Sequence, residues 1–433
     1  MSTGRVIRTE ALARVEGEGA MYVQIADDEV RDVKLRIYEP PRFFEALLRG
    51  RSFTEAPDIT SRICGICLIA YQMSAVRAME HACGVTIDTG PIRDLRRLIY
   101  CGEWIESLGL HVYLLHAPDF LHYPGFLEMA RDHPQTASRG LELKKAGNTI
   151  VTAVGGREIH PVNLRVGGFY RVPKRAELRK RLYEPLQRAR EHALATVNWT
   201  SGFTIPELDW KAAEFVALSE PDRYPIDLGR IVSDHGLDIA PAEFNAHVVE
   251  EQVPHSNALH ARIRERGSYL TGPLARYNTS SNCLWPLAQS AAREAGLGPV
   301  CSNPFQSVIV RAVELVQACD EALSIIDGYQ PPDQPAIEIH PRRAVGHGAT
   351  EAPRGMLYHR YGIDDDGIIT DARIVPPTSQ NLRSIEEDLK AVVTRNITLP
   401  DDALQHRCEQ AIRNHDPCIS CATHFLELTV DRR

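Results

Sequence analysis

Near the amino terminus, apolar Met21, Val23 and Ile25 alternate with their neighbours. The acidic run Asp27-Asp28-Glu29 interrupts, and Val33, Leu35 and Ile37 resume the alternation. A period of two broken by polar residues predicts a β-hairpin. Beyond Pro91 the period changes. Ile92, Leu95, Ile99, Ile105, Leu108, Val112 and Leu115 follow three-and-four spacing, which predicts a long helix opened by a proline and buried along one face. Phe305, Val308, Ala312, Leu315, Cys319, Leu323 and Ile326 repeat the pattern and predict a second long helix. A shorter, charged helix is predicted from about Arg175, with Pro185 expected to kink it. Between Gly328 and Thr378 the chain is rich in Pro, Gly and Asp, which reads as loops and short strands wrapped around something. No repeat of fixed period and no low-complexity linker divides the chain. The expected fold class is α+β and mainly helical, a long-helix core with small β elements, with residues 1–433 as a single domain.

Composition narrows the function classes. Hydrophobic residues make up 43% and charged residues 24%, so the chain can bury a core and is not disordered. The formal charge of −8 comes without a basic run, which argues against a nucleic-acid or anionic-membrane surface. The segment from Met1 to Glu10 lacks the apolar stretch of a signal peptide, and no run of about 20 apolar residues could span a bilayer. A cytoplasmic protein is expected. Ten cysteines are too few for a disulfide-built scaffold in a chain of this length. Six of them (Cys83, Cys101, Cys283, Cys301, Cys319 and Cys408) stand singly and read as small buried hydrophobes.

The other four form two CxxC pairs, in Ser61-Arg-Ile-Cys64-Gly-Ile-Cys67 and in His415-Asp-Pro-Cys418-Ile-Ser-Cys421. Cysteines three apart can turn both sulfurs toward one ion, and Gly65 permits the tight backbone this needs. Four thiolates suit zinc, an iron–sulfur cluster or nickel. The pairs lie about 350 positions apart, whereas structural zinc sites usually keep their halves within a few tens of residues. Spacing alone leaves a structural zinc and a redox or catalytic metal both open.

The flanking residues carry a resemblance. The two cysteine segments, the second extended as Asp416-Pro-Cys-Ile-Ser-Cys-Ala-Thr-His424, resemble the signature motifs of nickel–iron hydrogenase large subunits. Further blocks match in the family's order. These are Arg14-Val-Glu16-Gly17, Arg42-Phe-Phe-Glu45-Ala-Leu-Leu-Arg-Gly, Gly155-Gly-Arg-Glu-Ile-His160-Pro161 with Gly167-Gly168, Glu351-Ala-Pro353-Arg354-Gly355, and Pro377-Thr378-Ser-Gln-Asn381. They span residues 13–424, and the chain is identified as a member of that family. Ala70-Tyr71-Gln-Met-Ser is similar to the cytoplasmic, multimeric branch that exchanges electrons with NAD(P), often called sulfhydrogenases.

The resemblance implies reversible, heterolytic cleavage of H2 within that family's large-subunit fold, with small β elements around the metal site. Cys64 and Cys418 would bind nickel terminally, and Cys67 and Cys421 would bridge nickel and an iron carrying carbon monoxide and cyanide. Pro353, Arg354 and Thr378 match residues facing the iron's ligands, with Thr378 donating a hydrogen bond to a cyanide. Asp119 and Asp416 would hold Arg354 in place. Glu16 matches the carboxylate that relays protons from Cys418, and its burial would raise its pKa. Glu45 and His424 resemble ligands of a separate hard cation, usually magnesium. Without the family, Arg354 reads first as a surface residue in a Pro-Arg-Gly turn and Arg14 with Glu16 as a surface ion pair, and Asp416 reads alternatively as a turn residue before Pro417. His160 reads as structural.

None of the single cysteines resembles a cluster-binding run, so no iron–sulfur cluster is expected in this chain and an iron–sulfur small subunit must carry the electrons away. Further diaphorase (flavin- and NAD(P)-binding) and ferredoxin-like subunits, a maturation protease and nickel-insertion proteins are the expected partners. Two positions depart from the common pattern: Tyr71 and Glu18 stand where many relatives have His. Residues 425–433 follow His424, after which relatives are usually cut once nickel is in. The competing readings are a metal-free relative of a respiratory complex I subunit, which retention of four cysteines opposes, a zinc-stapled scaffold, and a slow hydrogen sensor.

Overall fold

The computed structural model describes residues 4–208 and 214–423. The amino-terminal alternation forms a three-stranded antiparallel sheet of β1 (Arg5–Thr9), β2 (Gly19–Ala26) and β3 (Glu29–Ile37), in that order. Asp27 and Asp28 close the predicted hairpin with φ of 55° and 57°. Two left-handed residues match the twist of the strands they join, and Asp tolerates that region better than most side chains.

The helical part is built from α1 (Leu68–Cys83), α2 (Gly90–Leu110), α3 (Pro134–Gly155), α4 (Arg175–Ser201) and, much later, α5 (Ser307–Gly328). Helix α2 packs on α3 and α5, and α4 packs on the same two, so four long helices close a bundle. The helix predicted from Pro91 ends earlier than its pattern implied. After Leu110 the chain winds through a wider π turn, His111–His116, before a short helix at Ala117–Phe120. The extra residue per turn shifts the buried face, which leaves Leu115 only half-buried. The helix read as a shorter one, α4, is the longest described, at 27 residues, and runs on through Pro185. Leu178, Leu182, Leu186 and Ala189 bury one face on both sides of it, and that packing outlasts the missing N–H.

Two regions differ from expectation. Residues 214–270 hold strands that periodicity did not indicate: β4 (Glu214–Ser219), β5 (Arg230–Ser233), β6 (Asp238–Ile239), the hairpin β7 (Val248–Gln252) and β8 (Leu259–Ile263), and β9 (Tyr269–Leu270). One sheet runs β9-β4-β5-β6, while β7 and β8 pair separately. The stretch read as loops and short strands is largely a sheet of three long antiparallel strands, β10 (Ala344–Ala352), β11 (Gly355–Ile363) and β12 (Ile369–Val375). Its glycines, taken as loop punctuation, have a packing reason. A Cβ on Gly348 would meet the Ser74 carbonyl at 2.5 Å and the Ala78 nitrogen at 2.7 Å, so β10 lies directly on α1.

Charges are buried throughout the bundle. Asp227 is held by Arg77 of α1 and by Arg93 and Arg97 of α2. Arg276 makes a two-pronged pair with Glu314 of α5, at 2.7 and 2.8 Å. Among the described residues no helix is long and apolar enough to cross a membrane. The chain closes through α6 (Pro377–Arg395), α7 (Asp401–Asn414) and the short α8 (Ile419–Ala422).

Candidate metal centre

Each CxxC pair sits at the start of a helix. Cys64 lies in the turn leading to α1, and Cys67 immediately precedes that helix; Cys418 immediately precedes α8, and Cys421 lies within it. The turns place all four sulfurs in one buried cluster. Cys64 and Cys67 are 3.0 Å apart, Cys418 and Cys421 2.7 Å, and across the pairs Cys64–Cys418 and Cys67–Cys421 are each 3.5 Å. None of the four is more than 3% exposed, and none is in a disulfide.

Three contacts align the pairs. Arg42 donates from one nitrogen to the carbonyls of Ile63 and Ser420, and its own amide donates to Thr423. Thr378, in the first turn of α6, accepts the Cys418 amide at 2.9 Å. The Arg14–Gly17 segment runs beside Cys418 as a parallel bridge, and Ile419 donates to the Glu16 carbonyl at 2.9 Å. Gly17 is needed there. Its φ is +89°, and a Cβ would stand 2.6 Å from that of Ile419. Glu16 is half-buried, and its Oε2 accepts from the Cys418 thiol at 3.1 Å and the Ser420 amide at 3.0 Å.

Arg354 reaches the cluster beside Cys67. Pro353 and Arg354 form the two-residue tip between β10 and β11, and the guanidinium points into the core. Its Nη1 lies 3.8 Å from the Cys67 sulfur and 3.2 Å from Ser107 Oγ, while its Nε donates to the Asp416 carbonyl at 3.0 Å and faces that carboxylate at 3.1 Å. Burial opposes its charge, but Asp416 and the thiols outweigh burial and hold Arg354 firmly protonated. The thiols divide. Hydrogen bonds from the other three push Cys64 well below the ordinary thiol range, while Cys67, Cys418 and Cys421 are pushed well above it. Four thiolates this close cannot all stay charged on their own, and a cation removes that conflict. The donor set fits a soft or borderline metal.

A family model described as nickel-dependent hydrogenase matches residues 42–139 and 299–424. The sulfhydrogenase 1 alpha subunit of Pyrococcus furiosus is 31% identical over 432 residues, covering 98% of each chain. The chain belongs to the nickel-dependent hydrogenase family. The NAD-reducing hydrogenase HoxS beta subunit of Cupriavidus necator is 27% identical, over 98% of this chain and 95% of that one. A solved NAD+-reducing [NiFe]-hydrogenase in the H2-reduced state superposes with a TM-score of 0.87 at 26% identity, covering 98% of this chain and all of the other. Four buried, convergent thiols are a donor set that suits the nickel on which the family depends.

The remaining predicted residues fall in different places. Asp416 holds Arg354 as expected from the motif, but Asp119 does not touch it. Asp119 instead grips Arg413 at 2.7 and 2.9 Å and pairs with Arg14, because the π turn carries it toward α7 rather than toward the β10–β11 tip. That also corrects the alternative in which Arg14 pairs with Glu16. The carbonyl of Pro353 accepts from Arg276 at 3.0 Å. Glu45 accepts the Ile374 amide at 2.7 Å, and burial pushes its carboxyl up to about 7. His424 and the tail to Arg433 lie outside the described residues. Tyr71 is buried, its ring tilted 49° to that of His359 at 5.7 Å. His160 braces the first loop through the Ser61 carbonyl at 2.8 Å, the structural part expected of it.

Three residues of this hydrogenase site escaped the sequence reading. Ser107 and Glu103 come from α2: Ser107 meets Arg354, and Glu103 receives the Ile69 and Ala70 amides at the start of α1. Burial, with the thiol of Cys64 adding to it, raises Glu103 well above the carboxylate range. A Glu one turn after Ile99, inside an apolar helix face, was the available signal. Arg42 was seen only as part of a motif; nothing local indicated that it ties both cysteine segments.

Proposed function

We propose that the chain is the hydrogen-splitting subunit of a cytoplasmic, multi-subunit hydrogenase, with Cys64, Cys67, Cys418 and Cys421 holding a nickel–iron pair. The observation that carries this reading is the convergence of four buried thiols beside a buried, charged guanidinium. When bound, the metal pair supplies the electrophile that draws charge from hydrogen, a very weak acid and poor ligand. Cys64 and Cys418 are the terminal nickel ligands in this reading, and Cys67 and Cys421 the bridging ones. Carbon monoxide and cyanide on the iron would face Pro353, Arg354 and Thr378.

The protein's own groups then have separable roles. Arg354 presents a fixed planar fork, and Asp416 sets its orientation. Glu16 takes the proton from the Cys418 sulfur, 3.1 Å away, and passes it outward. Asp119 is a positioning residue, clamping Arg14 two residues before Glu16. Glu45 and His424 would share magnesium, tying the carboxyl-terminal segment to the amino-terminal region. Electrons leave through an iron–sulfur small subunit, with diaphorase and ferredoxin-like subunits carrying them to NAD(P). A nickel-insertion apparatus and a maturation protease would complete the site.

Metal analysis of the purified complex, alongside hydrogen-dependent reduction of NAD(P), tests the reading. Nickel and iron near one each, both nickel and activity lost in Cys418→Ser, support it. Zinc in the four-thiol site of an inactive wild-type complex overturns it.

A further inference from the structure

Away from the four thiols, two imidazoles and a carboxylate meet where the β7–β8 hairpin lies against α6. His255 is on the hairpin loop, His260 on β8, and Glu386 near the middle of α6. One coordinating atom from each lies within 4.8 Å of the others. His255 Nε2 is 2.7 Å from Glu386 Oε1, and His260 Nδ1 is 3.9 Å from Glu386 Oε2. The two rings stand 5.6 Å apart and nearly perpendicular, at 87°, so they converge rather than stack.

Three further features describe a built site. His260 is 2% exposed and turns its Nδ1 toward Glu386, while its other nitrogen, Nε2, has no hydrogen-bond partner among the described residues. The Leu35 amide of β3 donates to Glu386 Oε1 at 2.9 Å, the kind of backbone brace that fixes a ligating carboxylate. Burial, with His255 adding to it, holds His260 down to about 4, so its ring is neutral and able to ligate at neutral pH. Charges of both signs surround the three side chains, and Arg383 with His255 acts against positive charge on His260. Arg383 faces the site from α6 and is paired with Glu251, the residue opposite His260 in the hairpin, while Asp32 adds negative charge from β3.

We propose that His255, His260 and Glu386 form a second metal site, one that takes Zn2+ on two imidazoles and one carboxylate. Imidazole donors select zinc-like ions over magnesium or calcium, and a three-residue set leaves the fourth position to water. The half-buried His255 and Glu386 side chains, 18% and 17% exposed, leave room for that water. The ion would staple the β7–β8 hairpin to α6, whose first turn carries Thr378 against Cys418. The site is independent of the nickel–iron reading and stands or falls separately.

The test uses the nickel-loaded complex, washed with a chelator and titrated with Zn2+ against a fluorescent competing chelator. The wild type should bind one tight zinc equivalent that raises its melting temperature. His255→Gln should lose that equivalent, and Glu386→Gln should weaken it at least tenfold, both with nickel content unchanged. His255 is partly exposed, at 18%, and lies on a loop, so its variant keeps the test valid if Glu386→Gln proves unstable. No tight equivalent in the wild type, or one of equal strength in His255→Gln, overturns the proposal.

Discussion

Arg354 reaches Cys67 only because a two-residue turn aims it inward and Asp416 fixes its fork. A lysine there would keep the charge but present a single point donor on a flexible stem. Arg354→Lys is therefore expected to retain nickel and iron while hydrogen activation falls by about 100-fold, in line with loss of one preorganised electrostatic partner. Hydrogen–deuterium exchange measured beside metal content checks this; near-normal exchange at full loading would make Arg354 structural. Glu16 works by a different route. Its Oε2 accepts from both the Cys418 thiol and the Ser420 amide, and Gln keeps that shape without a transferable proton. Glu16→Gln should leave both metals bound and slow proton exchange by roughly 100-fold. An unchanged exchange rate would route protons elsewhere. The family resemblance named both residues together with Asp416 and Cys418 as their partners; residue spacing alone did not, since those partners lie far along the chain.

Among the elements, α1, α2 and the segment before β5 are joined by one buried carboxylate. Asp227 is fully buried; burial would raise its pKa, yet Arg77, Arg97 and Arg93 together push it down to about 2, against an ordinary 3.8. A depressed carboxyl stabilises the fold above its unfolded pKa, and that contribution is lost as pH falls through the folded value. The linkage amounts to about 2 kcal/mol, present above roughly pH 4 and gone below about pH 2. Asp227→Asn should cost about 3 kcal/mol near neutrality, because three guanidiniums lose a shared buried partner, although Arg93 keeps Glu220 and Arg97 keeps Glu321. It should also flatten the acid limb of a melting-temperature profile; a variant with the wild-type limb would assign that limb to other groups. This element-scale network was invisible in the periodicity. Arg77, Arg93 and Arg97 lie on helices whose apolar faces predict their burial poorly, and Asp227 lies in a turn whose position only the packed sheets define. The strands β10–β12 were hidden for a related reason, since their glycines serve the approach to α1 and mimic loop composition.

For the whole molecule, the metal centre joins the two ends of the described chain: the Arg14–Gly17 segment, the α1 turn and α8 meet there. Metal binding that requires this arrangement must stabilise it. Protein prepared without nickel-insertion proteins should melt at a lower temperature than the matured form, with the amino- and carboxyl-terminal segments more open to hydrogen exchange. Equal melting and equal protection would show that protein contacts alone hold the ends together. Intact-mass measurement of the active complex decides the fate of residues 425–433, and a terminus at His424 is the expected result.

Periodicity alone carried the amino-terminal hairpin and the long helices α2 and α5, but not α1 or α3, because a period of two or of three-and-four reports directly on one buried face. The paired cysteines carried the metal, because thiols three apart on a tight turn can share an ion wherever the turn lies. What tertiary structure decided was which distant groups meet: Asp119 with Arg413 rather than Arg354, Arg42 across both cysteine segments, His255 and His260 with Glu386. Such pairings depend on the crossing of helices and the register of strands, which residue spacing along one element does not encode.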